Sequence, residues 1–284
     1  MSQVQVIKPG FYTSIQDLGR LQSACYGVPQ SGAMDRLSAQ KANLLLNNAE
    51  DAAVLEITMT GPELLFEAAC QIAICGAHFE VVLNDSPLER SKAYTVASGS
   101  RLRFGGLKEG FRAYLAVSGG FLTEQVLKSR SQYAGITQKA RLEKGDVLPY
   151  SASETRKSST ARVNFQDSGL FHSKIEVFKG PEFELLEEPL QQALFSKDFS
   201  IAPTSNRMAT GFNELLPNTL KGIVTAPVIP GTVQLTPNGN LIALMRDCQV
   251  TGGYPRVLQL SEKGISALAQ KRPGEEVGFE LEGE

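Results

Sequence analysis

Excess charge is the first thing this 284-residue sequence lacks: 28 Lys and Arg stand against 30 Asp and Glu, leaving a formal charge of −2. With no dense basic block either, the electrostatic footprint of a nucleic-acid-binding protein is missing, and nucleic acid is not expected as a partner. No run of about 18 apolar residues occurs, and residues 1–8 lack the apolar core of a signal peptide. A cytoplasmic protein with no membrane association is therefore expected. Cysteine is scarce: Cys25, Cys70, Cys75 and Cys248 form no C-x-x-C pair and are read as reduced core or near-core thiols. Histidine is scarcer still. His78 and His172 stand outside any H-E-x-x-H pattern, so no metal site is expected. The phosphate cradles G-x-x-x-x-G-K-[ST] and G-x-G-x-x-G are both missing. Ser118-Gly119-Gly120 lacks the first glycine of a nucleophile elbow, which makes a Ser/His/Asp hydrolase a weak candidate.

What is present, 42% hydrophobic residues, suffices for a large core without disulfides or metal. Short apolar and β-branched runs punctuated by Gly, Pro, Asn and Asp, at 53–59, 71–75, 79–83, 93–97 and 112–117, read as strands joined by tight turns. Asn84-Asp85-Ser86 is read as a hairpin turn. The run 34–46 is read as a helix opened by Ser31 or Gly32, with Met34, Leu37, Leu44 and Leu45 on its apolar face. A Ser/Thr-rich, charged stretch at 151–162 is read as a linker or loop dividing an N-terminal β-rich lobe, 1–150, from a C-terminal β lobe, 163–284. In the second lobe a strand is expected at 174–178 and a helix at 184–195, bent near Pro189. Asn238-Gly239 suggests a hairpin, and a last helix is expected at 263–271 before a closing strand. The fold class is mainly β, with a few short helices.

Two polar segments bracketed by Gly and Pro carry the chemistry. In residues 16–35, Gln16, Asp17 and Arg20 precede Gly27-Val28-Pro29-Gln30-Ser31-Gly32-Ala33-Met34-Asp35, where N–H groups at a helix start could receive an anion. In residues 234–255, Gln234 leads through the hairpin to Asp247 and then to Thr251-Gly252-Gly253-Tyr254-Pro255. There Gly-Gly permits close backbone approach and Tyr254 offers a flat face with a polar tip. The same residues would serve as ordinary turns and caps, and spacing alone leaves both readings open.

These segments do not stand alone. Residues 13–20, Ala42-Asn43, Leu55-Glu56, Gly61-Pro62, Arg112-Ala113-Tyr114-Leu115-Ala116-Val117-Ser118-Gly119-Gly120, Gly180-Pro181-Glu182, Gly231-Thr232-Val233-Gln234 and Thr251-Gly252-Gly253-Tyr254-Pro255 occur in order with them. Together they resemble the biotin-dependent carboxyltransferase family over essentially the whole chain, in the branch of the 5-oxoprolinase C subunits (KipA-like) and allophanate hydrolase subunit 2. The resemblance implies a cyclophilin-like β-barrel architecture in two lobes. It also implies ATP-dependent opening of 5-oxo-L-proline to L-glutamate alongside two partners, a KipI-like B subunit, and a LamB/YcsF-like A subunit. The chain alone is expected to be inactive, ATP being used by the complex at a site not identifiable in this chain. One alternative is carboxyl transfer from carboxybiotin to urea or a related amide. It needs a separate carrier, because this chain has no biotin-acceptor A-M-K-M run. The other alternative is a non-catalytic protein that antagonises a KipI-like kinase inhibitor.

On this resemblance the catalytic candidates are Asp17 and Asp35, as orienting or general-base carboxylates, and Arg20 as an anion partner. The substrate-binding candidates are Gln16, Arg207, Gln234, Asp247, Thr251, Gly252, Gly253 and Tyr254. Two departures from the family pattern stand out. Lys128-Ser129-Arg130-Ser131-Gln132-Tyr133 replaces G-S-R-S-T-Y and is followed by a shorter stretch to Ala140. Ser205-Asn206-Arg207-Met208-Ala209-Thr210-Gly211-Phe212 keeps Arg207 but loses the family's second arginine.

Overall fold

A computed structural model describes residues 2–151 and 170–283. The linker expected at 151–162 lies outside the described residues, apart from Ser151. The chain divides into two compact units, Met1–Leu21 with Ser31–Gln166, and Gln22–Gln30 with Asp167–Glu284. The fold is mainly β, a curled half-barrel and a nearly closed barrel with three α-helices among the described residues.

In the first unit, alternation of side chains across a sheet sorts one set of strands into two faces. The strands Tyr12–Gln16, Val54–Thr58, Arg101–Val117, Glu63–Phe66, Ser2–Lys8 and Val147–Tyr150 lie side by side in that order, and Cys70–Leu83 pairs along Arg101–Val117. Leu55, Ile57, Ile72, Ile74, Ala113, Leu115 and Val117 turn to one core; Val54, Ala73, Cys75, Tyr114 and Ala116 turn to the opposite face. That second face receives the helix Arg36–Leu45 through Ala39 and Ala42.

The helix corrects the sequence reading. Asp35, not Ser31 or Gly32, caps it, its side chain accepting from the Ser38 N–H at 3.0 Å. Of the expected apolar face, Met34 is buried and Leu45 packs partly buried against the core, but Leu37 and Leu44 are each 43% exposed. The buried stripe is instead Ser38, Ala39, Lys41, Ala42 and Asn43, because a helix seated on a sheet of small residues comes too close for leucine. The strands expected at 71–75 and 79–83 are one strand, Cys70–Leu83, interrupted by register shifts between Gly76 and Val81. Asn84 and Asp85 both have positive φ and turn the hairpin as expected.

In the second unit the order is Phe199–Ser200, Glu276–Leu281, Lys174–Lys179, Arg256–Leu260, Thr232–Leu235, Asn240–Leu244 and Ala209–Leu215. An Ile201↔Phe212 bridge brings the two ends of this sheet together. Phe199, Phe212 and Phe279 fill the interior with ring centroids 5.5–5.9 Å apart. Pro189 does not bend a helix. It stands in the first turn of Glu188–Ser196, where its missing N–H costs nothing, and a separate 3₁₀ turn, Phe183–Leu185, precedes it. The last helix is Glu262–Ala269, capped by Ser261. At the hairpin after Leu235 only Gly239 of the Asn-Gly pair has positive φ, so the loop is wider than a two-residue turn.

Cys70, Cys75 and Cys248 are buried, whereas Cys25 is exposed, against the expectation of four core or near-core thiols. Burial raises the Cys70 thiol to about 11. Cys248 rises to about 12 through burial and the neighbouring Asp247 carboxylate. Both stay protonated at neutral pH and are poor nucleophiles.

Candidate functional site

Three constellations hold the sequence-predicted residues, and each lies within one unit. The first grows from the end of the strand Tyr12–Gln16. Its outer edge is covered by residues 129–132: the Gln132 N–H donates to the Ile15 carbonyl at 2.9 Å, and the Ile15 N–H donates to Gln132 Oε1 at 3.0 Å. Gln16 is fully buried, and its Nε2 donates to Ser14 Oγ at 2.9 Å and to the Gln132 carbonyl at 3.2 Å. Its Oε1 has no hydrogen-bond partner among the described residues.

Asp17 gathers the same segment. Its Oδ1 accepts from the Gly19 N–H at 2.8 Å, Ser129 Oγ at 2.7 Å and Ser131 Oγ at 2.6 Å; its Oδ2 accepts from the Arg130 N–H at 2.6 Å. A carboxylate with that many donors is held in one orientation. Arg20, 1% exposed, clasps the segment again by donating from Nη2 to the Ser131 carbonyl. The geometry of Asp17 and Arg20 is that of positioning residues for 129–132.

Asp35 belongs to a second, fully buried network on the helix face of the sheet. Glu56 and Tyr114 are cross-strand partners, both 0% exposed. Glu56 Oε2 accepts from the Met34 N–H at 2.7 Å and from the Tyr114 hydroxyl at 2.9 Å, and Tyr114 Oη accepts from the Asp35 N–H at 2.8 Å. Burial, then the Glu56 and Asp35 carboxylates, push the Tyr114 phenol well above its usual range, so it stays a neutral donor. The first and second networks join through the backbone, where the Ala33 N–H donates to the Asp17 carbonyl at 2.8 Å. Gly32 makes this possible: at φ 97° a Cβ there would lie 2.9 Å from the Gly19 nitrogen. Glu56, Tyr114 and the Asp35 carboxylate already use the N–H groups of Met34, Asp35 and Ser38.

The third constellation is in the second unit. Arg207 and Asp247, 8% and 6% exposed, form a bidentate pair, Nε to Oδ2 at 2.8 Å and Nη2 to Oδ1 at 3.1 Å. Gln234, 2% exposed, donates from Nε2 to the Tyr254 carbonyl at 3.3 Å. Gly252 leaves room for that amide, since a Cβ there would stand 2.5 Å from the Gln234 nitrogen. Thr251 and Gly252 pair with Pro227 and Ala226 in a short ribbon, and the Gly253 carbonyl accepts from the Ile223 N–H at 2.9 Å. Tyr254 leaves 44% of its surface exposed. Arg256 binds Glu182 through Nε at 2.8 Å and Nη2 at 2.7 Å, tying the Gly180-Pro181-Glu182 turn to this segment and lowering the Glu182 pKa.

Residues 26–281 match the carboxyltransferase domain, subdomain A and B. The chain belongs to that family. The C subunit of the Haemophilus influenzae 5-oxoprolinase is 31% identical over 277 residues, 94% of this chain and 87% of that protein. The urea amidolyase of Lachancea kluyveri is 40% identical over 160 residues, 55% of this chain and 9% of that protein. The crystal structure of TTHA0988 is similar with a TM-score of 0.87 at 28% identity and covers 99% of this chain, which spans about half, 55%, of TTHA0988. In this carboxyltransferase-domain protein, sequence reasoning missed Glu56, Tyr114 and residues 129–132 as hydrogen-bond partners of the candidate residues. A carboxylate and a phenol in otherwise apolar strands were the available signal for the first two; Ser-Arg-Ser, the part of 128–133 that keeps the family pattern, was the signal for the others.

Beside the first constellation lies a cavity of about 210 Å³ lined by Arg130, Gln132, Thr123, Lys139 and Asp146, with Leu142 and Leu148 among its apolar walls. Lys139 is occupied, its Nζ lying 2.7 Å from both Glu143 and Asp146.

Proposed function

We propose that this chain is the C subunit of an ATP-dependent 5-oxoprolinase, opening 5-oxo-L-proline to L-glutamate in the cytoplasm together with KipI-like B and LamB/YcsF-like A subunits. The observation that carries this reading is coverage. The sequence match to the H. influenzae C subunit takes in 94% of this chain and 87% of that protein, whereas the sequence match to the L. kluyveri urea amidolyase takes in 55% of this chain and 9% of that protein.

The site chemistry agrees with an amide substrate. In the first unit Asp17 and Arg20 hold neighbouring groups rigidly, which is how positioning lowers a barrier, and the Gln132 amide stands in the wall of the cavity beside them. A nucleoside triphosphate does not fit these residues. Arg207, Arg246 and Arg256 are each paired with a carboxylate, and the cavity beside Arg130 has Glu124 and Asp146 in its wall. On this proposal ATP is used by the complex, and this chain alone has no turnover.

Carboxyl transfer from a separate carboxybiotin carrier is the second reading, favoured by the 40% identity to the urea amidolyase over 160 residues. Reconstitution distinguishes the two. The KipI-like and LamB/YcsF-like partners with this chain should form glutamate from 5-oxo-L-proline and ATP, and omitting this chain should abolish it. Undiminished glutamate formation without the chain contradicts the proposal, and carboxylation of urea with a biotinylated carrier would favour the second reading.

A further inference from the structure

We propose that the cavity beside the Asp17 clasp binds a small monocarboxylate through the Arg130 guanidinium, and, resting on the functional reading above, that this ligand is the carboxylate of 5-oxo-L-proline. Arg130 lines the cavity, and no ion pair or side-chain hydrogen bond engages its guanidinium among the described residues. Its backbone is fixed, because the Arg130 N–H is bound to Asp17 Oδ2 and both neighbours, Ser129 and Ser131, are bound through their hydroxyls to Asp17 Oδ1. A planar guanidinium on a fixed backbone is suited to a bidentate carboxylate.

The other walls narrow the ligand. Thr123 Oγ1 is buried without a hydrogen-bond partner among the described residues and belongs to the cavity lining. Gln132 uses its Oε1 to hold Ile15, which leaves its amide N–H groups as donors. These donors call for an acceptor-bearing ligand, such as an acid that also carries an amide carbonyl. Lys139 adds little positive charge because Glu143 and Asp146 already meet it. Glu124 and Asp146 in the wall repel a phosphate dianion more strongly than a monoanion. Leu142, Val147 and Leu148 cover the apolar side of a compact ring. Phe121 pairs with Tyr150 and the Leu122 N–H donates to the Pro149 carbonyl, which fixes Thr123 beside this strand.

The test is titration calorimetry on the full chain with 5-oxo-L-proline, its carboxamide, 2-pyrrolidinone and inorganic phosphate. The expected result is saturable binding of the acid, at least about tenfold weaker binding of the two uncharged analogues, and at least about a tenfold loss in Arg130→Gln, the scale of a charged hydrogen bond. Thr123→Val should weaken binding severalfold while leaving the thermal midpoint unchanged, since it removes a hydroxyl with no hydrogen-bond partner among the described residues. No saturable binding, equal binding of the carboxamide, unchanged binding by Arg130→Gln, or preference for phosphate each overturns the proposal. Circular dichroism melting of both variants separates lost binding from lost folding. An active complex whose KM is unchanged by Arg130→Gln overturns the cavity but not the functional reading. An inactive complex with acid binding intact overturns the functional reading but not the cavity as a carboxylate site.

Discussion

In the first unit Asp17 is satisfied by two serine hydroxyls and two backbone N–H groups, whereas in the second unit Arg207, Arg246 and Arg256 each meet a carboxylate. Both arrangements hold an ion in place, with different consequences. Where neutral donors satisfy the anion, a neighbouring cation, Arg130, is left for a ligand. Where arginine and carboxylate pair, the charges cancel and the residues serve as struts. A charged residue in a motif is thus no guide to ligand binding until its partner is known.

The largest expected effect tests the strut reading. Asp247→Ala removes the bidentate partner of buried Arg207 and should cost about 3–5 kcal/mol of stability, while the paired Arg207→Met/Asp247→Leu should recover most of it. Urea unfolding measures both, and a double variant no more stable than Asp247→Ala breaks the comparison. Next, Asp17→Ala removes the acceptor of the fully buried Ser129 and Ser131 hydroxyls and should cost about 2–3 kcal/mol in the same assay. A loss below about 0.5 kcal/mol, the scale of a featureless surface change, would show that the clasp is not holding 129–131.

Smaller effects sharpen the picture of the second unit. Gly252→Ala drives a methyl group against Gln234 Nε2, the mobile end of a side chain, and should cost about 1 kcal/mol. The pH dependence of the Glu182–Arg256 pair is smaller still. Arg256 lowers the Glu182 pKa below the usual carboxylate range, so on acidification the unfolded chain takes up a proton first. The pair's contribution is complete above the ordinary carboxylate pKa and is lost as pH falls through the lowered one. The stability gap between wild type and Glu182→Gln should therefore be constant near neutrality and close in acid. A gap that widens in acid would contradict the sign.

The strands and most turns were legible because period-2 alternation and Asn-Asp and Gly signals are local. The family was legible because so many short motifs recur in order. The helix face at 36–45 was misread because leucines outweigh alanines in any apolar count, while packing on Ala73 and Ala116 selects for small size. The capping role of Asp35 was not singled out from the sequence, since an aspartate before a helix has the same spacing whether it caps or does chemistry. The Asp17 clasp was out of reach, because its partners lie more than 110 residues away in sequence. No local pattern encodes a contact of that span.

The central claim, that Asp17 acts on a ligand only through Arg130, is tested most directly by a double-mutant cycle on the KM for 5-oxo-L-proline in the reconstituted complex. Asp17→Asn and Arg130→Gln should each raise KM with a smaller change in kcat, and the double variant should be no worse than Arg130→Gln alone. Multiplying effects would show that Asp17 has a role independent of Arg130 and would contradict the account.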